Sequence, residues 1–338
     1  MKKIIILSIL ILTSCSSREF KESDHYSQET DKFFNTTVKA DKGLYSFLRW
    51  KLFTTPAKWP EKIEIDPKPS LLSPKSLNDV NITFVNHSTF LIQINGYNIL
   101  TDPVWSERVS PVSFAGPKRV HPPGVTIEEL PKIDIVLISH NHYDHLDIES
   151  IKKLEKKFSP AFFVPLGDKE LLKSAGVQKV FDLDWWNKVN FNNIDISFVP
   201  TQHWSARGIF DRFDSLWGGY VVAWNGHKIF FGGDTGYSKH FKSINSKFGP
   251  MDISLIPIGA YAPRWFMQTM HMDPEEAIWA HKDLKSRYSI GMHYGTFQLT
   301  NESIDEPKTK LGMHLKKEGI SPETFLLLPI GHTKQFKL

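Results

Sequence analysis

Three histidines and an aspartate fall within six residues, His140-Asn141-His142-Tyr143-Asp144-His145, directly after the apolar run Ile133 to Ile138. A run of that kind reads as a buried strand, so the cluster sits where a strand ends. Two residues apart on a strand end, His140 and His142 point to the same side and can bind one ion. Asp144 and His145 lie just beyond, within reach of a second ion. Neutral imidazole and carboxylate are donors that zinc prefers, although iron or manganese also accept them. A solvated turn has little use for three histidines in six positions, so the fold has to supply a rigid support and further donors from elsewhere.

The chain has 338 residues, enough for two domains or for one layered α/β domain. Its formal charge is only +4 and the Lys and Arg residues are dispersed among acids. Nucleic acid is therefore not an expected partner. The one cysteine is Cys15, behind a basic start, Met1-Lys2-Lys3, and an apolar stretch, Ile4 to Leu12, too short to span a bilayer. With Leu12-Thr13-Ser14-Cys15 this resembles a bacterial lipoprotein signal ending at Cys15, with an ordinary cleaved signal as the alternative. Lipidation there implies a protein of the cell envelope, held on the periplasmic or outer-membrane side by acyl chains. No disulfide can form within the chain.

Residues 16–43 are polar and read as a tether or a partly helical lead-in. From 44 to 60, Trp50, Phe53 and Trp59 stand beside Arg49, Lys51 and Lys58; such a stretch suits a membrane interface or an arm packed on the main domain. Residues 61–78 form a connector, giving an N-terminal region of 16–78 and one domain from 79 to 338. Strands are expected at 80–85, 89–94, 97–101, 161–164, 180–183, 194–199, 219–224 and 228–232, with Asn95-Gly96 as a hairpin turn. Helices are expected near 148–158 and 167–174. Strands dominate both halves with helices between them, which fits an αββα sandwich: two mixed sheets face to face, helices outside.

Three more donors follow apolar runs: His203 in Pro200-Thr201-Gln202-His203-Trp204, Asp234 in Gly232-Gly233-Asp234-Thr235-Gly236, and His293 in Gly291-Met292-His293-Tyr294-Gly295. At this point the chain resembles the metallo-β-lactamase fold superfamily and, within it, N-acyl phosphatidylethanolamine phospholipase D. The H-x-H-x-D-H cluster carries the superfamily likeness. Pro263-Arg264-Trp265-Phe266-Met267 and His271-Met272-Asp273-Pro274-Glu275-Glu276-Ala277 carry the narrower one, colinear over about 80 to 338. The resemblance implies two zinc ions: His140, His142 and His203 on the first, Asp144, His145 and His293 on the second, Asp234 bridging. It implies that Asp102 orients a ligand imidazole, and it points to phosphodiester hydrolysis by a bridging hydroxide, releasing phosphatidic acid and an N-acylethanolamine from a membrane phospholipid.

Asp144, Asp234 and His271 are then the expected catalytic groups, His271 in a non-ligand role at the start of a helix and His332 a weaker candidate of the same kind. Trp204, Trp217, Tyr261, Trp265 and Phe266 are expected to line an acyl groove, with Phe210, Phe213, Leu216, Met267 and Met270 nearby and Arg207 or Arg264 near the phosphate. His25, His227, His240, His281 and His314 read as surface residues. The competing readings are a metal-dependent lactonase or esterase of the same fold, and a lipoprotein that binds zinc or lipid without turnover.

Overall fold

Successive side chains of a strand point to opposite faces, and in this chain both faces are apolar. Ile82, Phe84, Phe90, Ile92 and Ile135 enter a central core, while their neighbours Val85, Leu91, Val136 and Ile138 enter a second core with Ile151, Leu154 and Leu172. Farther on, Ile196, Phe198, Tyr220, Val222 and Leu255 join the central core, whereas Val199, Val221, Phe230 and Ile256 pack with Phe241, Ile244, Ile278 and Leu311. A chain patterned this way needs two sheets against each other and helices over both outer faces.

The computed structural model, which describes residues 20, 22–40, 42–65 and 79–338, has that architecture. In chain order the elements are β1 (Tyr26–Ser27), β2 (Lys32–Phe33), α1 (Gly43–Phe53), β3 (Asp79–Asn86), β4 (Thr89–Ile94), β5 (Tyr97–Thr101), β6 (Ile135–Leu137), α2 (Ile148–Phe158), β7 (Ala161–Pro165), α3 (Lys169–Ser174), β8 (Val180–Leu183), β9 (Lys188–Phe191) and β10 (Ile194–Val199). They continue with β11 (Gly219–Trp224), β12 (His227–Phe231), α4 (His240–Phe248), β13 (Ile253–Pro257), α5 (Arg264–Met267), α6 (Pro274–Asp283), β14 (Tyr288–Met292), α7 (Glu306–Glu318), β15 (Phe325–Leu326) and β16 (Thr333–Lys337). One sheet has the order β16-β3-β4-β5-β6-β7-β8, the other β15-β14-β13-β12-β11-β10-β9. Each is antiparallel at one end and parallel at the other. The expected αββα sandwich is thus the observed fold.

Local signals place the elements. Asn95 and Gly96 have φ of 48° and 79° and close the β4–β5 hairpin, as a two-residue turn with both central residues left-handed requires. Asp147 caps α2, and α6 opens with Pro274 inside a capping box formed by Asp273 and Glu276.

Two sequence expectations are corrected. Residues 22–40 are not a free tether: Tyr26 and Phe33 are in the central core, and Asn35 Nδ2 donates to the His203 carbonyl at 2.7 Å. Two aromatic anchors and a few polar contacts suffice to fix a stretch with no apolar periodicity. His240 and His281 are buried, not on the surface. The proposed lipidation site Cys15 and the connector residues 66–78 lie outside the described residues. Among the described residues no helix is long and apolar enough to cross a membrane.

The buried histidines set an acid limit. Burial pushes His240 down to about 3, and burial with Lys282 nearby pushes His281 down to about 4. An imidazole depressed in the folded state stays neutral while the unfolded chain, with a pKa near 6.5, takes up a proton. Stability is therefore expected to fall as pH drops below about 6.5, by at most about 2 kcal/mol for each histidine at pH 5. Thermal melts at pH 7 and pH 5 check this: His281→Gln, which can still bond the Ser289 hydroxyl, is expected to show a smaller difference between the two pH values than the parent.

Candidate metal centre

Every candidate donor follows the C-terminal end of a strand. Asp102 follows β5 and the cluster at 140–145 follows β6; His203, Asp234 and His293 follow β10, β12 and β14. The pairings make β5 and β6 parallel within one sheet and β10, β12 and β14 parallel within the other. The turn that delivers Asp234 depends on Gly233, whose φ is 55° and whose missing Cβ would sit 2.5 Å from Ser139 Cβ.

β6 stops at Leu137, so His140 and His142 lie on a loop and not on a strand end as expected. They still converge, because Asp102 accepts from Ser139 N at 2.7 Å and from Ser139 Oγ at 2.6 Å, and the Ser139 carbonyl accepts from Gly218 N at 2.9 Å. A turn follows, closed by His145 N and Leu146 N donating to the His142 carbonyl.

The side chains form two adjoining groups. In the first, His142 Nδ1 is 2.8 Å from His140 Nε2 and 3.3 Å from His203 Nε2. In the second, Asp144 Oδ2 is 3.3 Å from both His145 Nε2 and His293 Nε2. Asp234 touches both: its Oδ2 is 3.1 Å from His293 Nε2, 3.2 Å from His145 Nε2, 3.7 Å from His203 Nε2 and 4.0 Å from His140 Nε2. Donor atoms from each group lie within 4.8 Å of one another.

Outer contacts aim the rings. His203 Nδ1 donates to the Met270 carbonyl at 2.9 Å, His145 Nδ1 bonds Asp102 Oδ2 at 2.6 Å, and His140 Nδ1 lies 2.9 Å from Ser139 Oγ, so each turns Nε2 inward. Asp102 is thus a buried orienting carboxylate. His87, at the end of β3, belongs with the second group, its Nε2 being 3.0 Å from Asp144 Oδ2. Sequence reading passed over it, although it too ends an apolar strand.

The donor chemistry fits divalent metal. Burial pushes His142 down to about 3 and His203 to about 4 and holds His140 well below its ordinary value, which leaves lone pairs for coordination. Burial alone would raise the Asp144 and Asp234 carboxyls, but the facing His145 and, for Asp234, His293 outweigh it and hold both well below the usual range. Burial would likewise lower His145 and His293; Asp234 and Asp144 outweigh it and raise both, His293 to about 9. The carboxylates therefore demand positive charge at the centre, the charge that divalent cations bring. Asp234 Oδ1 is buried and makes no hydrogen bond among the described residues, as expected of an atom that faces a cation.

A cavity of about 460 Å³ opens onto His142, Asp144, Asp234 and His271, with Phe47, Trp50, Trp204, Phe266, Met267 and Met270 among its walls. His271 Nδ1 lies 3.8 Å from Asp234 Oδ2 and, although buried, has no hydrogen-bond partner among the described residues. Of the expected groove residues, Trp204, Phe266, Met267 and Met270 line this cavity. The others are placed differently. Trp217 is buried with its Nε1 on the Thr201 carbonyl at 3.2 Å, Tyr261 is buried with its hydroxyl on Glu306 Oε1 at 3.0 Å, and Trp265 packs against Arg49. Arg207 donates to the Asn141 and Leu146 carbonyls, and Arg264 to Glu276 Oε2 and the His271 carbonyl, so both brace loops and neither faces a phosphate. The guanidinium at the cavity is that of Arg212, stacked on Trp204 at 4.1 Å. His332 sits in the turn before β16, its carbonyl accepting from Phe84 N at 3.1 Å, outside the converging groups.

A family model described as a beta-lactamase superfamily domain matches residues 97–294. The N-acyl-phosphatidylethanolamine-hydrolyzing phospholipase D 1 of Caenorhabditis elegans is 40% identical over 263 residues, 74% of this chain and 74% of that one. The mitochondrial N-acyl-phosphatidylethanolamine-hydrolyzing phospholipase D of Saccharomyces cerevisiae is 41% identical over 238 residues, 68% of this chain but only 51% of the yeast protein. Among solved structures, an isothiocyanate hydrolase from Delia radicum gut bacteria superposes with a TM-score of 0.62 at 20% identity, over 76% of this chain and 99% of that one, a likeness of fold alone.

Proposed function

Since the chain belongs to the beta-lactamase superfamily, as a relative of N-acyl-phosphatidylethanolamine-hydrolyzing phospholipase D, and is a metal-dependent hydrolase, we propose that it is a zinc-dependent phosphodiesterase of phospholipase D type. Its substrates would be N-acyl phosphatidylethanolamine-like lipids, cleaved to phosphatidic acid and an N-acylethanolamine. One observation carries this reading: a largely apolar cavity of about 460 Å³ ends on the paired His/Asp groups. Residues 79–338 would form the catalytic domain.

His140, His142 and His203 would hold one zinc ion, Asp144, His145 and His293 the other, with Asp234 shared. When bound, such a pair supplies Lewis acidity at a phosphoryl oxygen and lowers the pKa of water toward neutrality. The chain does the rest. Asp102 and the Met270 carbonyl keep His145 and His203 in the tautomer that turns Nε2 inward. His87 Nε2 meets Asp144 Oδ2, the same oxygen that faces His145 and His293. Burial keeps the His271 imidazole well below its ordinary pKa, so its role is that of a neutral hydrogen-bond donor that positions the phosphate. Arg212, which lines the cavity, would meet remaining phosphate charge.

His271→Ala is expected to lower kcat by about 100-fold or more while both metal equivalents stay bound. His271→Gln, which keeps an N–H donor, is expected to recover part of the loss. Metal analysis alongside steady-state kinetics checks both.

The substrate is tested by assaying the metal-replete protein on N-acyl phosphatidylethanolamine vesicles and on an acyl lactone, with mass-spectrometric detection of phosphatidic acid. Preference for the lipid supports the proposal. Preference for the lactone by orders of magnitude would replace it with a lactonase, and no turnover of either would leave a binding protein. We also propose a cell-envelope location, under which radiolabelled palmitate enters the parent protein but not Cys15→Ser.

A further inference from the structure

Helix α1 shows two different faces. One face carries Leu44, Phe47 and Trp50, which line the cavity, with Trp50 buried and Leu44 open to solvent at 72% exposure. Trp50 packs on Phe266 with ring centroids 5.0 Å apart and donates through Nε1 to Asn301 Oδ1 at 2.8 Å, while Asn301 Nδ2 donates to Thr54 Oγ1 at 2.7 Å. The helix is thereby fixed as one wall of the cavity. Its outer face carries Tyr45, Leu48 and Leu52, spaced i, i+3 and i+7 on one stripe, followed by Phe53. Among the described residues Tyr45, Leu52 and Phe53 are largely uncovered and Leu48 partly so: they are 81%, 71%, 80% and 44% exposed.

A helix of a water-soluble surface does not spend its outward stripe on such residues, so the stripe marks a docking face. The charge around it indicates the occupant. Residues 42–60 contain Lys42, Arg49, Lys51 and Lys58 and no acidic residue. Lys51 Nζ stands 3.9 Å from the Trp50 ring and Arg49 4.8 Å from the Trp265 ring, so the cations flank the apolar stripe. A second copy docked through this face about a two-fold axis would bring the same cations together. A lipid surface instead sets aliphatic chain against the leucines and phosphate against the cations.

We propose that the outer face of α1 docks into an anionic lipid surface, with Tyr45, Leu48, Leu52 and Phe53 at acyl depth, and so seats the cavity wall formed by Leu44, Phe47 and Trp50 directly on the bilayer. This rests on the phospholipid reading of the site and deepens it. A lipid would then slide from the membrane past Leu44 and Phe47 toward Trp204 without its acyl chains crossing water.

Cys15 is the only cysteine, so a spin label can be placed uniquely on the full chain in a Cys15→Ser background. Labels at Leu48→Cys and Leu52→Cys are expected to gain collisions with oxygen and lose them with a charged nickel complex when phosphatidylglycerol vesicles are added. A label at Met313→Cys, on an exposed residue of α7, should not respond. Labels at 48 and 52 that ignore the vesicles would overturn the proposal, and so would label–label broadening without lipid, which would assign the face to a second copy. In kinetics, the triple variant Leu48→Ser, Leu52→Ser, Phe53→Ser is expected to lose about tenfold or more on vesicle-embedded substrate. None of these residues lines the cavity, so hydrolysis of a short-chain, water-soluble phosphodiester should be unchanged, and equal loss on both substrates would contradict docking. If the parent cleaves no phosphodiester at all, the functional reading fails, while the spin labels still decide the docking.

Discussion

Replacing Asp234 by asparagine is expected to cut hydrolysis by about 1000-fold or more, on the order of 4 kcal/mol of barrier, while the protein stays folded. The side chain keeps its shape but loses the one charge that faces both groups of imidazoles, with Oδ2 3.1 Å from His293 Nε2 and 3.7 Å from His203 Nε2. An amide in that place offers one neutral oxygen where two cations would share a carboxylate, and it presents an N–H to ring nitrogens that should carry lone pairs. Metal should be retained less tightly at both positions, which a chelator competition measures alongside the rate. Activity within tenfold of the parent would mean that Asp234 is not shared. The circular dichroism spectrum shows whether the variant has folded, which separates lost chemistry from lost structure.

The second large effect is expected at Asp102, which lies behind the centre. Its Oδ1 accepts from Ser139 N at 2.7 Å, and its Oδ2 meets Ser139 Oγ and His145 Nδ1, each at 2.6 Å, all fully buried. Asp102→Asn puts an amide N–H against these donors and breaks a buried, charge-assisted contact, with a cost of about 3–5 kcal/mol. His145 also loses the partner that fixes its tautomer, so affinity at the second metal position should fall about 10- to 100-fold. Two readouts distinguish the effects: the melting temperature of metal-free protein reports the buried contact, and titration with a competing chelator reports the orientation of His145. An unchanged affinity would reduce Asp102 to a packing residue.

The cluster at 140–145 was legible because its chemistry is local: three imidazoles and a carboxylate in six residues have few other uses. The layered fold was legible for a similar reason, since apolar residues on both faces of the strands demand cover on both sides. What escaped depended on partners distant in sequence. Nothing near Arg207 or Arg264 announces that backbone carbonyls and Glu276 consume those guanidinium groups. His87 is a lone histidine, and only the fold brings it to Asp144. His240 and His281 look like helix-surface residues until the sheet beneath α4 and α6 is in place. The stretch 22–40 reads as polar tether because Tyr26 and Phe33 are too few to set a period. In each case, local pattern reports how a segment folds, and burial depends on what lands on it.

The central claim is that seven side chains, His140, His142, Asp144, His145, His203, Asp234 and His293, together hold two metal ions. Anomalous X-ray diffraction at the zinc edge from crystals of zinc-replete protein tests it most directly. Two anomalous peaks about 3.5–4 Å apart, one among His140, His142 and His203 and the other among Asp144, His145 and His293 with Asp234 between them, are the predicted result. A single peak, or none within coordination distance of Asp234, would contradict it.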